Sequence, residues 1–256
     1  MCRLTSNLEF ETVHPKHRKA SVAVKKALIT GITGQCKLAA LADDTVTAGP
    51  CKGVHLLSSR DKASQLLGYY EQELHSCIET VIAWQPDVSV NVGCGEGYYA
   101  VGLAGRIPAA QSFAYDPDPF SQVACKLARD VNRVGVEVML GVCTTLELRL
   151  RTQNAERPFI LMDCEGCERE LLLDTQYSYP NARIIVECHD FIDRQITSAL
   201  IDKFSASHQI LVIKQGGRNP FGHPLTAGWA ENDLWLLVSE RRPERMHWLY
   251  MEPISR

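Results

Sequence analysis

The chain has 256 residues, of which 45% are hydrophobic and 22% charged, a composition that suits one large globular domain. Its formal net charge of -3 excludes a broad basic surface for nucleic acid, and the basic run at residues 14–19 is predicted to be a solvated segment. No apolar stretch approaches the roughly 18 residues of a membrane span. The N-terminus also lacks the apolar core of a signal peptide. We therefore expect a cytoplasmic protein with neither nucleic acid nor membrane as a partner.

The ten cysteines are not expected to form a disulfide framework, because no export signal is recognised. Several lie within apolar strand patterns, where a thiol acts as a small hydrophobic group. Cys164, Cys167 and Cys188 differ because each stands beside a carboxylate.

The predicted elements begin after a weakly patterned segment, residues 1–64, which we expect to form an N-terminal cap. A helix is predicted next from apolar residues at three- and four-residue spacing, and Pro86 ends it. Those residues are Leu67, Tyr70, Leu74, Ile78 and Val81. Residues 65–240 are predicted to form the main domain. The apolar tail, residues 241–256, is expected to pack on that domain or on a second copy in a homodimer.

From Val88 onward, short apolar runs alternate with helical patterns. Strands are predicted at residues 88–92, 112–115, 136–140, 159–162, 183–186, 209–213 and 234–238. One of the intervening helices has an apolar face made of Phe120, Val123, Ala124, Leu127 and Val131. This alternation predicts a mostly parallel, doubly wound sheet with helices on both faces, in which ligands bind beyond the carboxyl ends of the strands.

A glycine-rich loop follows the first of these strands. It reads Asn91-Val92-Gly93-Cys94-Gly95-Glu96-Gly97-Tyr98, and a helix is predicted to start at its end. Glycines allow positive φ and let backbone amides approach a ligand closely. The spacing differs from the dinucleotide fingerprint because Tyr98 stands where its third glycine would fall, which disfavours a nicotinamide oxidoreductase.

An acidic residue ends the second strand, about 20 residues after the glycines. Asp116, followed by Pro117, is placed to accept hydrogen bonds from ribose hydroxyls. Asp118 better suits the alternative role of helix cap, because Pro119 would then occupy the first helical position.

The segment after the fourth strand, Asp163-Cys164-Glu165-Gly166-Cys167-Glu168, resembles the Asp-Val-Glu-Gly-x-Glu signature of FkbM-type methyltransferases. Together with the glycine loop and Asp116, it makes the chain resemble the class I S-adenosylmethionine-dependent methyltransferases over roughly residues 65–240. Further similarities lie at residues 68–74, 97–99 and 186–189. The resemblance implies a Rossmann-like α/β fold with a seven-stranded, mostly parallel sheet whose last strand is antiparallel.

The same resemblance implies that S-adenosylmethionine is the cofactor and that a hydroxyl of a small-molecule acceptor is methylated. The implied cofactor residues are those of the glycine loop and the two strand ends: Asn91, Gly93, Cys94, Gly95, Gly97, Tyr98, Asp116, Pro117 and Asp163. The family usually has Asp or Glu where this chain has Asn91. A neutral side chain there can still meet the ammonium group of the cofactor, with lower expected affinity.

Methylation of a hydroxyl needs a base, because a hydroxyl is a poor nucleophile. We expect Asp163, Glu165 and His189 to be the catalytic groups, and histidine has the most suitable resting pKa. Tyr70, Glu71 and His189 are predicted to face the substrate. An alternative role for His189, a hydrogen bond to the start of the next helix, stays open. Glu168 is predicted to be structural.

Other interpretations of these residues are kept. A divalent metal, the less favoured alternative, would be held by Asp163 with Glu187, His189 and Asp190. The Cys164–Cys167 spacing fits zinc or a redox pair. A zinc site would use Cys164, Cys167, Cys188 and His189, although simple packing of the cysteines is favoured. A domain that binds the nucleoside without transferring methyl is the competing function. In the later loop, Arg218 and His223 are more simply interpreted as surface residues than as acceptor contacts.

Overall fold

The computed structural model describes residue 38 and residues 41–57, 62–173 and 176–254, so the basic run at residues 14–19 lies outside the described part. Its centre is a seven-stranded sheet in the order β3-β2-β1-β4-β5-β7-β6. The strands are β1 (Val88–Val92), β2 (Gln111–Tyr115), β3 (Glu137–Val138), β4 (Pro158–Met162), β5 (Arg183–Glu187), β6 (His208–Lys214) and β7 (His247–Pro253).

Helices cover both faces of this sheet. They are α1 (Lys62–Leu67), α2 (His75–Trp84), α3 (Tyr98–Arg106), α4 (Pro119–Asn132), α5 (Thr145–Thr152), α6 (Ile196–Phe204) and α7 (Glu231–Leu237), with 3₁₀ turns at Gln72–Leu74 and Pro224–Thr226 and a π-helical turn at Arg169–Leu173. Within the described ranges, none of these helices is long and apolar enough to cross a membrane.

The first five strands run parallel, and β7 alone is antiparallel to its neighbours β5 and β6. This arrangement confirms the predicted Rossmann-like, mostly parallel seven-stranded fold. Every residue of β1 and β4 is buried, as expected for strands that helices cover on both faces. The carboxyl ends of β1, β2, β4 and β5 therefore meet at one edge of the sheet.

The C-terminal elements differ from the prediction. Residues 234–238 were expected to form the last strand, but most of them belong to α7, where Leu234 and Leu237 share the buried face at helical spacing. The last strand is instead β7, which lies between β5 and β6. Within the segment expected to pack on the domain or on a second copy, residues 247–253 form a strand of the domain's own sheet. Trp248 to Met251 are all buried because β7 is an interior strand.

Two predicted helices also differ in detail. The helix expected from Leu67 to Val81 is interrupted after α1, since Gly68 has a φ of 73° and a Cβ there would lie 2.4 Å from the carbonyl oxygen of Ala48. In α4, four members of the predicted apolar face, namely Phe120, Val123, Leu127 and Val131, are exposed. The buried face of α4 carries small residues instead, including Ala124, Cys125 and Ala128, because α4 approaches α3 closely at Gly97.

Candidate active site

A cavity of about 470 Å³ lies at the carboxyl ends of β1, β2 and β4. That is a normal size for a small-molecule or cofactor site. Its lining includes eight of the nine residues predicted to bind the cofactor: Asn91, Gly93, Cys94, Gly95, Tyr98, Asp116, Pro117 and Asp163. Gly97 is not part of the lining; it precedes α3 with a φ of 99° and packs against Cys125.

The glycine loop is held against the neighbouring strand ends. The amides of Gly93 and Cys94 both donate to the carbonyl oxygen of Tyr115, at 2.8 and 2.9 Å. A Cβ on Gly93 would lie 1.6 Å from the carbonyl oxygen of Asp163. Only glycine allows this contact, so the loop and the segment after β4 are positioned by each other.

Asp116 links the second strand end to the same loop. One of its carboxylate oxygens accepts from the Gly95 amide and the other from the Asp118 amide, both at 2.9 Å. Each oxygen keeps a further lone pair, and the half-exposed side chain faces the cavity. Asp118 accepts from the amide of Phe120 and caps α4 with Pro119 in the first turn, as predicted.

Asn91 contributes an unpaired acceptor to the cavity. The residue is 4% exposed, and its Nδ2 donates to the Leu161 carbonyl at 3.4 Å, whereas its Oδ1 has no hydrogen-bond partner among the described residues. Buried polar atoms in folded proteins are nearly always paired. An orphan oxygen in this wall therefore favours a bound ligand that donates a hydrogen bond.

His189 follows β5 and is held between carboxylates. Its Nδ1 contacts Oε1 of Glu168, and its Nε2 lies 3.5 Å from Asp163 Oδ1 and 3.5 Å from Glu165 Oε2. Because a carboxylate only accepts, Nδ1 is assigned as the donor to Glu168. Burial disfavours the imidazolium, but the hydrogen bond and charge of Glu168, with Asp163 and Glu165, outweigh it and raise the pKa of His189.

Asp163 and Glu187 form a carboxyl–carboxylate pair at the ends of β4 and β5. Burial, with the charges of Asp163 and Glu71, raises the pKa of Glu187 to about 11. Burial also raises the pKa of Asp163, although His189 and Arg242 oppose this. Contact between the two carboxyl groups raises the pKa of Glu187, whereas Arg242 lowers it.

A buried ion network that sequence patterns did not reveal lies behind this pair. Arg242 bonds Glu71 Oε1 at 2.7 Å and Glu240 Oε2 at 3.0 Å, contacts Glu187, and places its guanidinium 4.9 Å from the Trp248 ring centre. Glu71, a predicted substrate residue, lines the cavity, and its carboxylate is paired with Arg242.

Arg218 extends the network, so its interpretation as an ordinary surface residue is wrong. It is 7% exposed and pairs with Glu73 and Glu240, each at 2.8 Å. His223 lies away from the main cavity, where its Nδ1 accepts from the Leu225 amide at the start of a 3₁₀ turn.

A smaller cavity of about 180 Å³ adjoins the large one, and the two share Tyr70, Asp163 and Glu165 in their walls. His189, Phe191 and Met246 line its other side. The rings of Tyr70 and Tyr98 pack edge to face with centres 5.2 Å apart. The predicted substrate residues Tyr70 and His189 therefore meet in this second compartment.

Cys164 and Cys167 are joined by a disulfide. The expectation that these two cysteines pack as free thiols is wrong, and a bonded pair cannot supply thiolates to zinc. Cys188 is a free, buried thiol. Burial raises the pKa of this thiol to about 12, which agrees with a role in packing.

No protein-family model and no curated protein matches the chain. Several solved structures are similar in fold. An O-methyltransferase from Streptomyces achromogenes involved in tomaymycin synthesis, in complex with SAM, has 11% identity and a TM-score of 0.49, with 78% of this chain and 92% of that chain covered. An O-methyltransferase from Bacillus cereus in complex with SAH has 12% identity and a TM-score of 0.46, with 69% of this chain and 78% of that chain covered. An rRNA methylase from Streptococcus thermophilus has 11% identity and a TM-score of 0.48, with 72% of this chain and 97% of that chain covered.

Proposed function

We propose that the chain is an S-adenosylmethionine-dependent methyltransferase, of FkbM type, that methylates a hydroxyl oxygen of a small molecule. The observation that carries this proposal is the junction of two compartments at Asp163: the glycine-loop cavity on one side and the His189 compartment on the other. A cofactor in the first and an acceptor in the second would meet beside a carboxylate and an imidazole.

Each wall has a role in this proposal. Asn91 Oδ1 would accept from the cofactor's ammonium group, and Asp116 would accept from its ribose hydroxyls. S-adenosylmethionine supplies an electrophilic methyl group, so the protein must align an oxygen with it and remove a proton. Nε2 of His189 would take the hydroxyl proton, and the buried Glu168 would stabilise the resulting imidazolium.

A metal-dependent reaction is the second candidate, because ligand atoms of Asp163, Glu187 and His189 all lie within 4.8 Å of one another. Their two carboxylates and one imidazole fit a divalent ion. Arg242, however, already places a cation against Glu187. The candidate predicts that a chelator abolishes methyl transfer and that Mg²⁺, Mn²⁺ or Zn²⁺ restores it. Unchanged activity after chelation would exclude it.

Calorimetry with S-adenosylmethionine and S-adenosylhomocysteine tests the cofactor. Both ligands are expected to bind. The proposal would be overturned if neither ligand gave a heat of binding. Release of S-adenosylhomocysteine is then followed across a panel of hydroxyl-bearing sugars, phenols and polyketides. Binding without release for any acceptor would instead favour the competing function, a nucleoside-binding domain.

Two variants test the proposed base. His189→Gln should retain cofactor binding and lose about 100-fold or more of the methyl-transfer rate. His55→Gln is the matched control, since His55 contacts Thr45 outside both cavities. Equal loss in both variants would indicate a general effect on folding.

A further inference from the structure

The Cys164–Cys167 disulfide closes a four-residue loop at the end of β4. The two residues between the cysteines, Glu165 and Gly166, have φ values of 53° and 105°. Glycine adopts positive φ freely, whereas for Glu165 this backbone conformation is unfavourable. The disulfide closes the loop around Glu165 in this conformation.

The closed loop and its two flanking residues carry the carboxylates that surround His189. Asp163 directly precedes the closed loop, Glu165 lies inside it, and Glu168 directly follows it. All three carboxylates contact the ring of His189, with Asp163 and Glu165 at Nε2 and Glu168 at Nδ1. Glu187, from β5, faces the same ring across Asp163.

The three carboxylates depend on the disulfide to different extents. The amide of Asp163 donates to the Val92 carbonyl at 2.9 Å, and the Glu168 side chain is fully buried, so both have supports of their own. The Glu165 side chain is 75% exposed, and no hydrogen bond to it is found among the described residues other than its contact with His189. Opening the ring therefore frees Glu165 first.

The disulfide is also accessible. Cys164 and Cys167 are half-buried and line the large cavity, whereas the free cysteines of the described part are all buried. A small dithiol can therefore reach this sulfur pair through the cavity mouth, which is a condition for thiol–disulfide exchange.

We propose that Cys164–Cys167 is a redox-controlled clamp of the catalytic loop, closed and active as the disulfide and open and less active as the dithiol. The chemistry is exchange with an external dithiol. One of its thiolates attacks one protein sulfur, which breaks the Cys164–Cys167 bond, forms a mixed disulfide and releases the other cysteine as a thiolate. The second thiolate of the reductant then attacks the reductant sulfur of the mixed disulfide, releases the first cysteine and leaves as a cyclic disulfide. Two electrons and two protons pass to Cys164 and Cys167. The effect on methyl transfer rests on the proposed function, but the release of Glu165 does not.

The experiment compares the oxidised protein, the dithiothreitol-reduced protein and the double variant Cys164→Ser/Cys167→Ser. Alkylation and peptide mass spectrometry establish the state of the two cysteines. Backbone amide NMR relaxation is then measured at Glu165 and Gly166. Both amides should become more mobile on reduction, because the opened loop no longer restrains them, and the double variant should match the reduced protein.

Methyl transfer is measured in the same samples once an acceptor is known. The reduced protein should be slower by about tenfold, with cofactor affinity changed by less than about twofold, and the double variant should not respond to dithiothreitol. Cys77→Ser is the matched control, a buried free cysteine on α2 that should respond to the reductant as the unmodified protein does.

Identical amide relaxation at Glu165 and Gly166 in both redox forms would overturn the clamp. So would a double variant that is impaired while the unmodified protein ignores the reductant, since that pattern indicates packing alone. Failure to find any methyl acceptor would count against the proposed function and leave the NMR result standing.

Discussion

The buried carboxylate of Glu168 lies against Nδ1 of His189, with the glutamate side chain fully buried and that of the histidine 2% exposed. This contact directs the other ring nitrogen, Nε2, toward Asp163 and Glu165 at the boundary of the two cavities. It also favours the protonated ring. The pH dependence of the site therefore reports on this pair.

Methyl transfer should increase with pH through a pKa above the usual 6.5 of histidine, because the neutral ring is the base and its pKa is raised. Glu168→Gln removes the buried charge and should shift this rise to lower pH, with a plateau rate lower by about tenfold or more. Initial rates from pH 5 to 10 measure both effects. Glu137→Gln, at an exposed carboxylate on β3, is the control. If Glu168→Gln left the pH dependence of the methyl-transfer rate unchanged, Glu168 would not control the pKa of His189.

The contact between Glu168 and His189 should also make the free energy of unfolding depend on pH. Because the folded pKa of His189 lies above its unfolded value, its contribution to the free energy of unfolding is fully present below about pH 6.5. That contribution is lost as the pH rises through the folded pKa. Denaturant unfolding at several pH values should show this loss in the unmodified protein and a smaller one in His189→Gln.

Gly93→Ala should disrupt the contact between the glycine loop and β4. The added Cβ would overlap the Asp163 carbonyl oxygen, and a φ of 78° is unfavourable for alanine. We expect a loss of roughly 2 kcal/mol or more in the free energy of unfolding and no measurable cofactor binding. Gly217→Ala is the control, since a Cβ added there would meet no atom within 4 Å. Normal calorimetric binding by Gly93→Ala would show that the loop can shift without consequence.

Asn91→Asp should strengthen binding of ligands that carry an ammonium group. Its Oδ1 lacks a hydrogen-bond partner in the described part of the chain. A carboxylate there would form a charge-assisted hydrogen bond with the ammonium group, which is worth about 1 kcal/mol, or about fivefold in affinity. Calorimetry with S-adenosylhomocysteine should show the gain, whereas methylthioadenosine, which lacks the amino-acid group, should show none. Equal effects on both ligands would place the ammonium group elsewhere.

Arg242→Met should destabilise the protein strongly, because Arg242 bonds Glu71 and Glu240 and contacts Glu187 inside the protein. Unpaired buried carboxylates cost about 3–5 kcal/mol. Arg194→Met is the matched control, as Arg194 pairs with Glu244 at the surface, with side chains 72% and 38% exposed. For Arg194→Met we expect the free energy of unfolding to fall by less than about 1 kcal/mol. Urea unfolding compares the two, and similar losses would argue against the network.

Features set by neighbouring residues were predictable from the sequence alone. The glycine loop, the cap formed by Asp118 and the placement of Asp116 and Asp163 at strand ends all follow from local backbone geometry and hydrophobic runs. The alternation of strands and helices likewise indicated a parallel sheet with ligands at its carboxyl edge.

Only the tertiary structure decided the rest. The C-terminal segment is the interior strand β7, a choice that depends on which strand pairs with β5 and β6. Arg242 meets Glu71 across 171 positions of sequence, and Glu168 meets His189 across 21. Such contacts leave no periodic signal, because the energy that selects them comes from burying charges together after the sheet has formed.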